Sequence, residues 1–390
     1  MLKRKIISKA NYLLEKFPVI SVTGPRQSGK TTLIRNYFPD YTYYNLEMPD
    51  FREWATSDPK EFLNTIGEKV ILDEIQRVPD IFSYIQVFSD ERNTTGQYIL
   101  SGSQNFLLMQ NISQSLAGRV AILKLLPFSL AEIKELTIKF GIEKLIFNGL
   151  YPRIYDKNIA PQDYYPNYLQ TYIERDVQLL RNIVNQNSFI QFVRLCAGRA
   201  GQIINHASLA NDAGISVSTV KEWLSILEAS YIIYFLYPHH KNYNKRLIKM
   251  PKMYFYDTGL LCYLLKIKTS DDLQYHFAKG AIYENFVIND ILKQIYNRGK
   301  VPAAYFWRDK NGHEIDLILE LNNKIYPIEI KAAKTMSTDY FKNLTYYNKI
   351  SGNPAEYSYV FYAGDNKFKM AEGNLIGLDY LYDFIEQINK

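Results

Sequence analysis

Three groups of residues in this chain have the types and spacing of chemistry. The first is the run Gly24, Pro25, Arg26, Gln27, Ser28, Gly29, Lys30, Thr31 and Thr32. Its glycines let the backbone bend so that N–H groups point inward at a phosphate chain. Lys30 reaches the terminal phosphates, and the Thr31 hydroxyl suits Mg2+. The second is Asp73 and Glu74, which close an apolar run: one acid to hold Mg2+ through water, one to orient an attacking water. A surface acid pair after a core strand is the plainer alternative. The third is Glu284, Asp316, Glu329 and Lys331. Residues two apart on a strand share a face, so Glu329 and Lys331 point together, and an adjacent strand can bring Asp316 beside them. Two carboxylates can hold Mg2+, and a lysine beside them can position a water for phosphodiester attack. Glu284 offers a third carboxylate. Ordinary charges on an exposed strand face are the alternative. Against that, Asp316 interrupts a mostly apolar strand, where an unpaired carboxylate is costly.

The elements that must position these groups are visible in the flanking sequence. "PVISVTG" (Pro18 to Gly24) is short, apolar and β-branched, and reads as a buried strand. "KTTLIRNYF" reads as a helix with Leu33, Ile34 and Tyr37 on one side. A strand, a glycine loop and a helix are the context a phosphate cradle requires, and the helix N-terminus adds partial positive charge. "KVILDEIQ" is a second apolar strand and "QYILSGSQNF" a third, ending in Ser101, Ser103, Gln104 and Asn105. Ser103 can meet a γ-phosphate or the attacking water, or it can cap the following helix. Arg119 stands between a glycine and a strand-like run. It can reach a phosphate of its own or of a neighbouring subunit, or remain solvated. Further on, "KGAIYENFVINDILKQIY" is an amphipathic helix carrying Glu284, and "HEIDLILEL" and "KIYPIEIKAA" are strands carrying Asp316 and the Glu329–Lys331 pair.

Between these parts the pattern turns helical. "NSFIQFVRLCAGRAG" is amphipathic and stops at glycine. A short helix, a turn at Gly214, a Ser216 cap and a helix from Ser218 to Glu228 make a helix-turn-helix. Two strands, "YIIYFLYP" and "KMYFYDTG", enclose a basic loop with Lys241, Tyr243, Lys245, Arg246, Lys249 and Lys252. This is a winged-helix pattern. Its second helix and wing suit DNA, while the same module can serve packing or oligomerisation. Lys221, Ser216, Ser218 and Thr219 form the candidate contact face, with the acid Glu222 among them.

Bulk properties bound the partners. The chain has 390 residues, 47% hydrophobic and 22% charged, which is ordinary globular composition and enough for two or three cores. A net charge of +6 permits a nucleic-acid partner without demanding one. Cys196 and Cys262 are far apart, so neither a disulfide framework nor a zinc site is expected, and the expected location is the cytoplasm. No run approaches the ~18 apolar residues of a membrane span, so no membrane partner is expected. The 33 tyrosines suit interfaces and base stacking, and they also accumulate in chains encoded by AT-rich genes.

The segments "GPRQSGKTTL", "VILDEIQ", "ILSGSQNFLL" and "SLAGRVAILKLLPFSLAEI", in this order, resemble the bacterial and archaeal AAA-type P-loop ATPases that carry a C-terminal domain of unknown function. The resemblance covers nearly the whole chain. It makes the Gly24–Thr32 loop a Walker A segment and Asp73 with Glu74 a Walker B segment. It also implies a nucleotide-site role for Arg119, a strand inserted between the cradle strand and the Asp73 strand, and a PD-(D/E)XK nuclease-like C-terminal domain. "NGLYPRIY" and "YLQTYIERDV" match the family's join. The family often has a glycine pair and an acid at that corner, where this chain has Leu150, Tyr151 and Arg153. The expected architecture is α/β: a P-loop ATPase domain at residues 1–150, a helical linker and winged-helix-like module at 151–255, and a nuclease-like domain at 256–390. The expected cofactors are ATP and Mg2+, and the expected partner is nucleic acid, DNA rather than RNA, with a homo-oligomer possible. The expected function is ATP hydrolysis coupled to nucleic-acid handling. The alternative is an ATP-dependent switch or scaffold whose C-terminal domain only binds.

Overall fold

Five short apolar strands build the first sheet: β1 (Val19–Thr23), β2 (Thr42–Asn45), β3 (Val70–Asp73), β4 (Tyr98–Ser101) and β5 (Val120–Lys124). All pairings are parallel, in the order β2-β3-β4-β1-β5, so β4 lies between β1 and β3 as the resemblance implies. Parallel neighbours need crossovers, and helices such as Lys30–Tyr37, Pro59–Ile66 and Ile81–Arg92 supply them. The computed structural model describes residues 3–102, 112, 114–134, 141–172, 186–240 and 250–389. They fall into two units: Met1–Phe128 with Ala229–Tyr231 and Tyr296–Lys300, and Ser129–Glu228 with Ile232–Ile295 and Val301–Lys390.

Alternation along the strands of the first unit feeds two cores, one on each face of the sheet. Val70, Leu72, Tyr98 and Leu100 join Phe62, Leu63, Ile81, Phe82 and Ile85 in one. Ile71 and Ile99 join Ile20, Val22, Leu33, Ile34 and Leu123 in the other. The sheet is therefore buried on both sides, and its polar residues gather at the strand ends. The registers Val22↔Ser101 and Asp73↔Ser101 bring the carboxyl ends of β1, β3 and β4 to one edge. Open parallel sheets bind ligands at that edge.

The second unit contains an eight-stranded mixed sheet, made of β6 (Ile233–Pro238), β7 (Lys252–Phe255), β8 (Ala304–Arg308), β9 (Glu314–Leu321), β10 (Lys324–Lys331), β11 (Tyr359–Tyr362), β12 (Lys367–Met370) and β13 (Gly373–Gly377). Its order is β12-β13-β11-β10-β9-β8-β6-β7. Asn322 and Asn323, both at positive φ, form the tight turn that fixes the antiparallel register of β9 on β10. Helices Gln186–Ala197 and Val217–Ala229, with His206–Ala213 between them in sequence, pack through Trp223, whose ring meets Phe189 and Phe192 edge-on at 5.2 Å. Asn205 caps the helix His206–Ala213, Gly214 ends it, and the Ser216 hydroxyl accepts the Thr219 N–H. β6 and β7 pair antiparallel, and β6 also pairs with β8, so the hairpin after the helices belongs to the large sheet.

The corner at Gly149–Arg153 has a structural task. Asp257 is buried and accepts the Leu150 and Leu260 N–H groups and the Tyr165 hydroxyl. Tyr151, Tyr165 and Tyr168 are buried in the same part of the fold, the Tyr151 and Tyr168 hydroxyls bonded to each other at 2.7 Å, so part of the tyrosine excess is spent on interior hydrogen bonds. Both cysteines are buried and unpaired. Among the described residues, no helix is long and apolar enough to cross a membrane.

Candidate functional site

The loop from Gly24 to Thr31 follows β1 and ends on the helix Lys30–Tyr37. Gly24 has φ 145°, and a side chain there would collide with the Leu125 carbonyl; Gly29, at φ 93°, caps the helix. Both positions require glycine. Lys30 is buried, and its Nζ donates to the Gly24 and Pro25 carbonyls at 2.9 and 2.8 Å. Its ammonium thus lies over the loop interior. Pro25 is buried, Arg26 is half-buried, and Gln27 and Thr32 are exposed. The Ser28 Oγ is buried and has no hydrogen-bond partner among the described residues. Buried hydroxyls nearly always have a partner, and an oxygen-rich ligand in the loop would supply one.

Asp73, at the end of β3, is 2% exposed. It accepts the Thr31 hydroxyl at 2.7 Å, the Tyr43 hydroxyl at 2.8 Å, the Glu74 N–H at 3.2 Å and the Ser101 hydroxyl. Four donors on one carboxylate offset its burial. Burial and then the Asp73 charge push the Tyr43 phenol up, so it stays a donor. Glu74 follows in the left-handed region, φ 55° and ψ 38°, and Gln76 Nε2 donates to its Oε2. A non-glycine residue in that region is strained, and such strain concentrates at functional sites. The cradle, the Thr31–Asp73 pair and the adjacent acid fit a triphosphate with Mg2+.

Two residues that complete this site were not found by sequence reasoning. Arg4 is 4% exposed and donates to the Ser28 carbonyl at 2.9 Å and the Leu126 carbonyl at 2.7 Å, with its guanidinium 4.9 Å from the Phe128 ring centre. It braces the cradle from beneath. Tyr43 belongs to the tyrosine-rich "YTYYN", where nothing local marks it. Arg4→Met strips both carbonyls of that donor. It is expected to lower unfolding stability by about 1–3 kcal/mol, measured by urea unfolding, and to weaken nucleotide binding.

In the second unit, β9 and β10 bring Asp316 and Glu329 together. The Ile330 N–H donates to Asp316 Oδ2 at 2.8 Å. Lys331 Nζ lies 3.9 Å from Asp316 Oδ2 and forms a close ion pair with Glu329 Oε2. Glu329 is 2% exposed, and its Oε1 has no hydrogen-bond partner among the described residues. Glu284, on the helix Lys279–Tyr296, takes other partners: the Tyr254 hydroxyl at 2.5 Å and Lys252 Nζ at 3.3 Å. Burial and then the Asp316 charge push Glu329 up to about 8 and Glu284 up to about 7. Asp316 and Glu329 with a partnerless oxygen fit a divalent cation. Glu284 does not complete a triad, and among the described residues no group of three or more His, Cys, Asp or Glu is arranged to hold a metal ion.

Residues 16–134 match the family model described as an AAA domain. That match supports an AAA-type ATPase family for this stretch of the chain. Residues 139–271 and 279–381 match two models described as domains of unknown function, DUF8612 and DUF4143. The chain is 29% identical over 343 residues to the uncharacterized protein Rv2008c of Mycobacterium tuberculosis and, equally, to the uncharacterized protein Mb2031c of Mycobacterium bovis, covering 86% of this chain and 75% of each relative. Among solved structures it is similar to the Walker-type ATPase PABY2304 of Pyrococcus abyssi (15% identity, 67% of this chain, 95% of that one, TM-score 0.44). It is also similar to AMPPCP-bound DnaA from Aquifex aeolicus (15% identity, 57% and 86% covered, TM-score 0.30).

Within the AAA domain, Arg119 is not brought to the phosphate loop. It precedes β5, and its carbonyl accepts the Val19 N–H at the start of β1. Gly24 lies past the other end of β1, about 16 Å away at roughly 3.3 Å per residue. Arg119 forms a bidentate pair with Asp90, Nε–Oδ1 at 2.6 Å and Nη2–Oδ2 at 2.8 Å. The fold therefore does not bring Arg119 to its own chain's phosphate loop. Ser103, Gln104 and Asn105 lie outside the described residues, as do Lys241, Tyr243, Lys245, Arg246 and Lys249 of the basic loop. Lys252 departs from that loop. It lies within β7, 3% exposed, between Glu284 and Glu314.

The raised Glu284 and Glu329 carboxyls carry a pH signature. Both hold protons in the fold that the unfolded chain, near 4.5, releases. Their contribution to stability is fully present below that value and is lost as pH rises through about 7 and 8. The unfolding midpoint of the second unit is expected to fall between pH 5 and 8 in chelator. Asp316→Asn, which removes the neighbouring charge, is expected to flatten that slope in thermal scans.

Proposed function

We propose that the chain is an Mg2+-dependent ATPase whose AAA domain governs a nucleic-acid-handling second part. The observation that carries the ATPase is the Thr31–Asp73 hydrogen bond of 2.7 Å, with Glu74 next in sequence and Lys30 over the loop. Backbone N–H groups of Gly24–Thr32 and the Lys30 ammonium hold the phosphates. Thr31, with Asp73 behind it, would hold Mg2+, which when bound neutralises charge between the terminal phosphates. Glu74 orients the attacking water and accepts its proton. Phosphate release from ATP with Mg2+, against the same sample in chelator, tests this reading. Release that is equal in both overturns it.

The second part is proposed as a winged-helix-like module, residues 151–255, followed by a PD-(D/E)XK nuclease-like domain, residues 256–390, acting on DNA rather than RNA. The Asp316–Glu329–Lys331 arrangement supports the nuclease-like reading. A switch or scaffold without cleavage is the second reading, and the pairing of Glu284 with Lys252 favours it. A Mg2+- and Mn2+-dependent cleavage assay on mixed DNA and RNA separates the two. Cleavage lost in Asp316→Asn supports the nuclease, and binding without cleavage supports the scaffold.

A further inference from the structure

The nuclease-like cluster contains two lysines in unlike settings. Lys331 ends β10 and is 31% exposed, so it can swing aside. Lys252 is 4% exposed at its side chain and anchored on both edges of its strand, by β6 and by a bridge to Ile203. Its ammonium stands 3.3 Å from Glu284 Oε1 and 2.5 Å from Glu314 Oε1, and 5.7 Å from the Phe306 ring centre. The Tyr254 hydroxyl fills a second position on the same Glu284 oxygen, and Arg308 Nη1 lies 3.5 Å from Glu314 Oε2.

A divalent ion bound to Glu284 would have to sit roughly 2.0–2.6 Å from a carboxylate oxygen. The Lys252 ammonium and the Tyr254 hydroxyl already occupy Glu284 Oε1, and the lysine side chain is 4% exposed, with no open route away. Two cations on one carboxylate repel, and removing the ammonium alone would take the shared cation from between Glu284 and Glu314. Glu329 presents the contrast, with a buried Oε1 that no protein group contacts by hydrogen bond among the described residues.

We propose that Lys252 is a built-in cation that takes the place of a metal ion beside Glu284 and Glu314, so that the cluster accepts a single divalent ion, between Asp316 and Glu329. This rests on the nuclease-like reading of Asp316 and Glu329. It makes Lys252 a positioning residue and Glu284 a partner of lysine, not a metal ligand.

The test is Mn2+ titration calorimetry with thermal unfolding, on the full chain without nucleotide, in an Asp73→Asn background that removes the AAA-domain acid. With Lys252 present, Glu284→Gln is expected to change Mn2+ affinity by less than about threefold, whereas Asp316→Asn abolishes binding. Lys252→Gln is expected to gain Mn2+ affinity of about tenfold or more, and Lys252→Gln/Glu284→Gln to lose that gain. Without metal, Lys252→Gln is expected to unfold at lower temperature than its parent and to recover with Mn2+. A tenfold loss in Glu284→Gln, at about the size of a lost ligand, overturns the proposal. So does a Lys252→Gln chain that Mn2+ neither binds more tightly nor stabilises. If Asp316→Asn leaves Mn2+ binding unchanged, the nuclease-like reading fails separately, and the Lys252→Gln gain still decides the role of the lysine.

Discussion

Lys30→Ala is expected to abolish ATP hydrolysis and weaken nucleotide binding while the chain stays folded. The ammonium held over the loop by the Gly24 and Pro25 carbonyls is buried inside the cradle. Charge grows on the phosphoryl oxygens during transfer, and a preorganised donor aimed there is worth on the order of 10³ in turnover, about 4 kcal/mol of barrier. The fold loses less. Helix Lys30–Tyr37 keeps Leu33 and Ile34 in the core, and the loss is confined to the donor on two carbonyls. Unfolding stability is expected to drop by about 1–2 kcal/mol. Phosphate release, equilibrium nucleotide binding and urea unfolding on one preparation check all three parts. Hydrolysis at the parent rate would remove the loop from the chemistry.

Glu74→Gln is expected to separate binding from turnover. Glutamine has the same shape, and its amide oxygen can still accept from Gln76 Nε2, so the strained backbone at φ 55° need not change. What is lost is the negative charge that accepts a proton from water. Turnover should fall by about 10²-fold or more, the scale of general-base catalysis. Nucleotide affinity should stay within about threefold, because Thr31, Asp73 and Lys30 remain. Equal losses in binding and turnover would make Glu74 a structural acid that shapes the turn after β3.

The cradle was legible because its chemistry is local. Gly24, Gly29, Lys30 and Thr31 lie within one loop, and the continuous apolar run Val70–Leu72 announces a buried strand that must end where its acids begin. Glu329 and Lys331 were legible for the same reason, through the two-residue repeat of a strand. What depends on long-range packing was not. Arg4 braces Ser28 from 24 positions away and Leu126 from 122, and no spacing rule links them. Arg119 carries no local sign of Asp90, its partner 29 residues earlier. Lys252 reads as one more base in a basic loop, and only the β7 pairing puts it between two glutamates. Glu284 reads as a third metal ligand for the complementary reason: its helix was legible, but not which neighbour its carboxylate meets.

The most direct test of the central claim is a crystal structure of Glu74→Gln grown with ATP and Mg2+, in which binding is retained and hydrolysis is slow. The expected result is a triphosphate inside the Gly24–Thr32 loop, Lys30 moved from the Gly24 and Pro25 carbonyls onto the terminal phosphates, and an ion held by Thr31 with Asp73 behind it. A nucleotide bound elsewhere, or a loop with Lys30 still on its own carbonyls at saturating ATP, would contradict it.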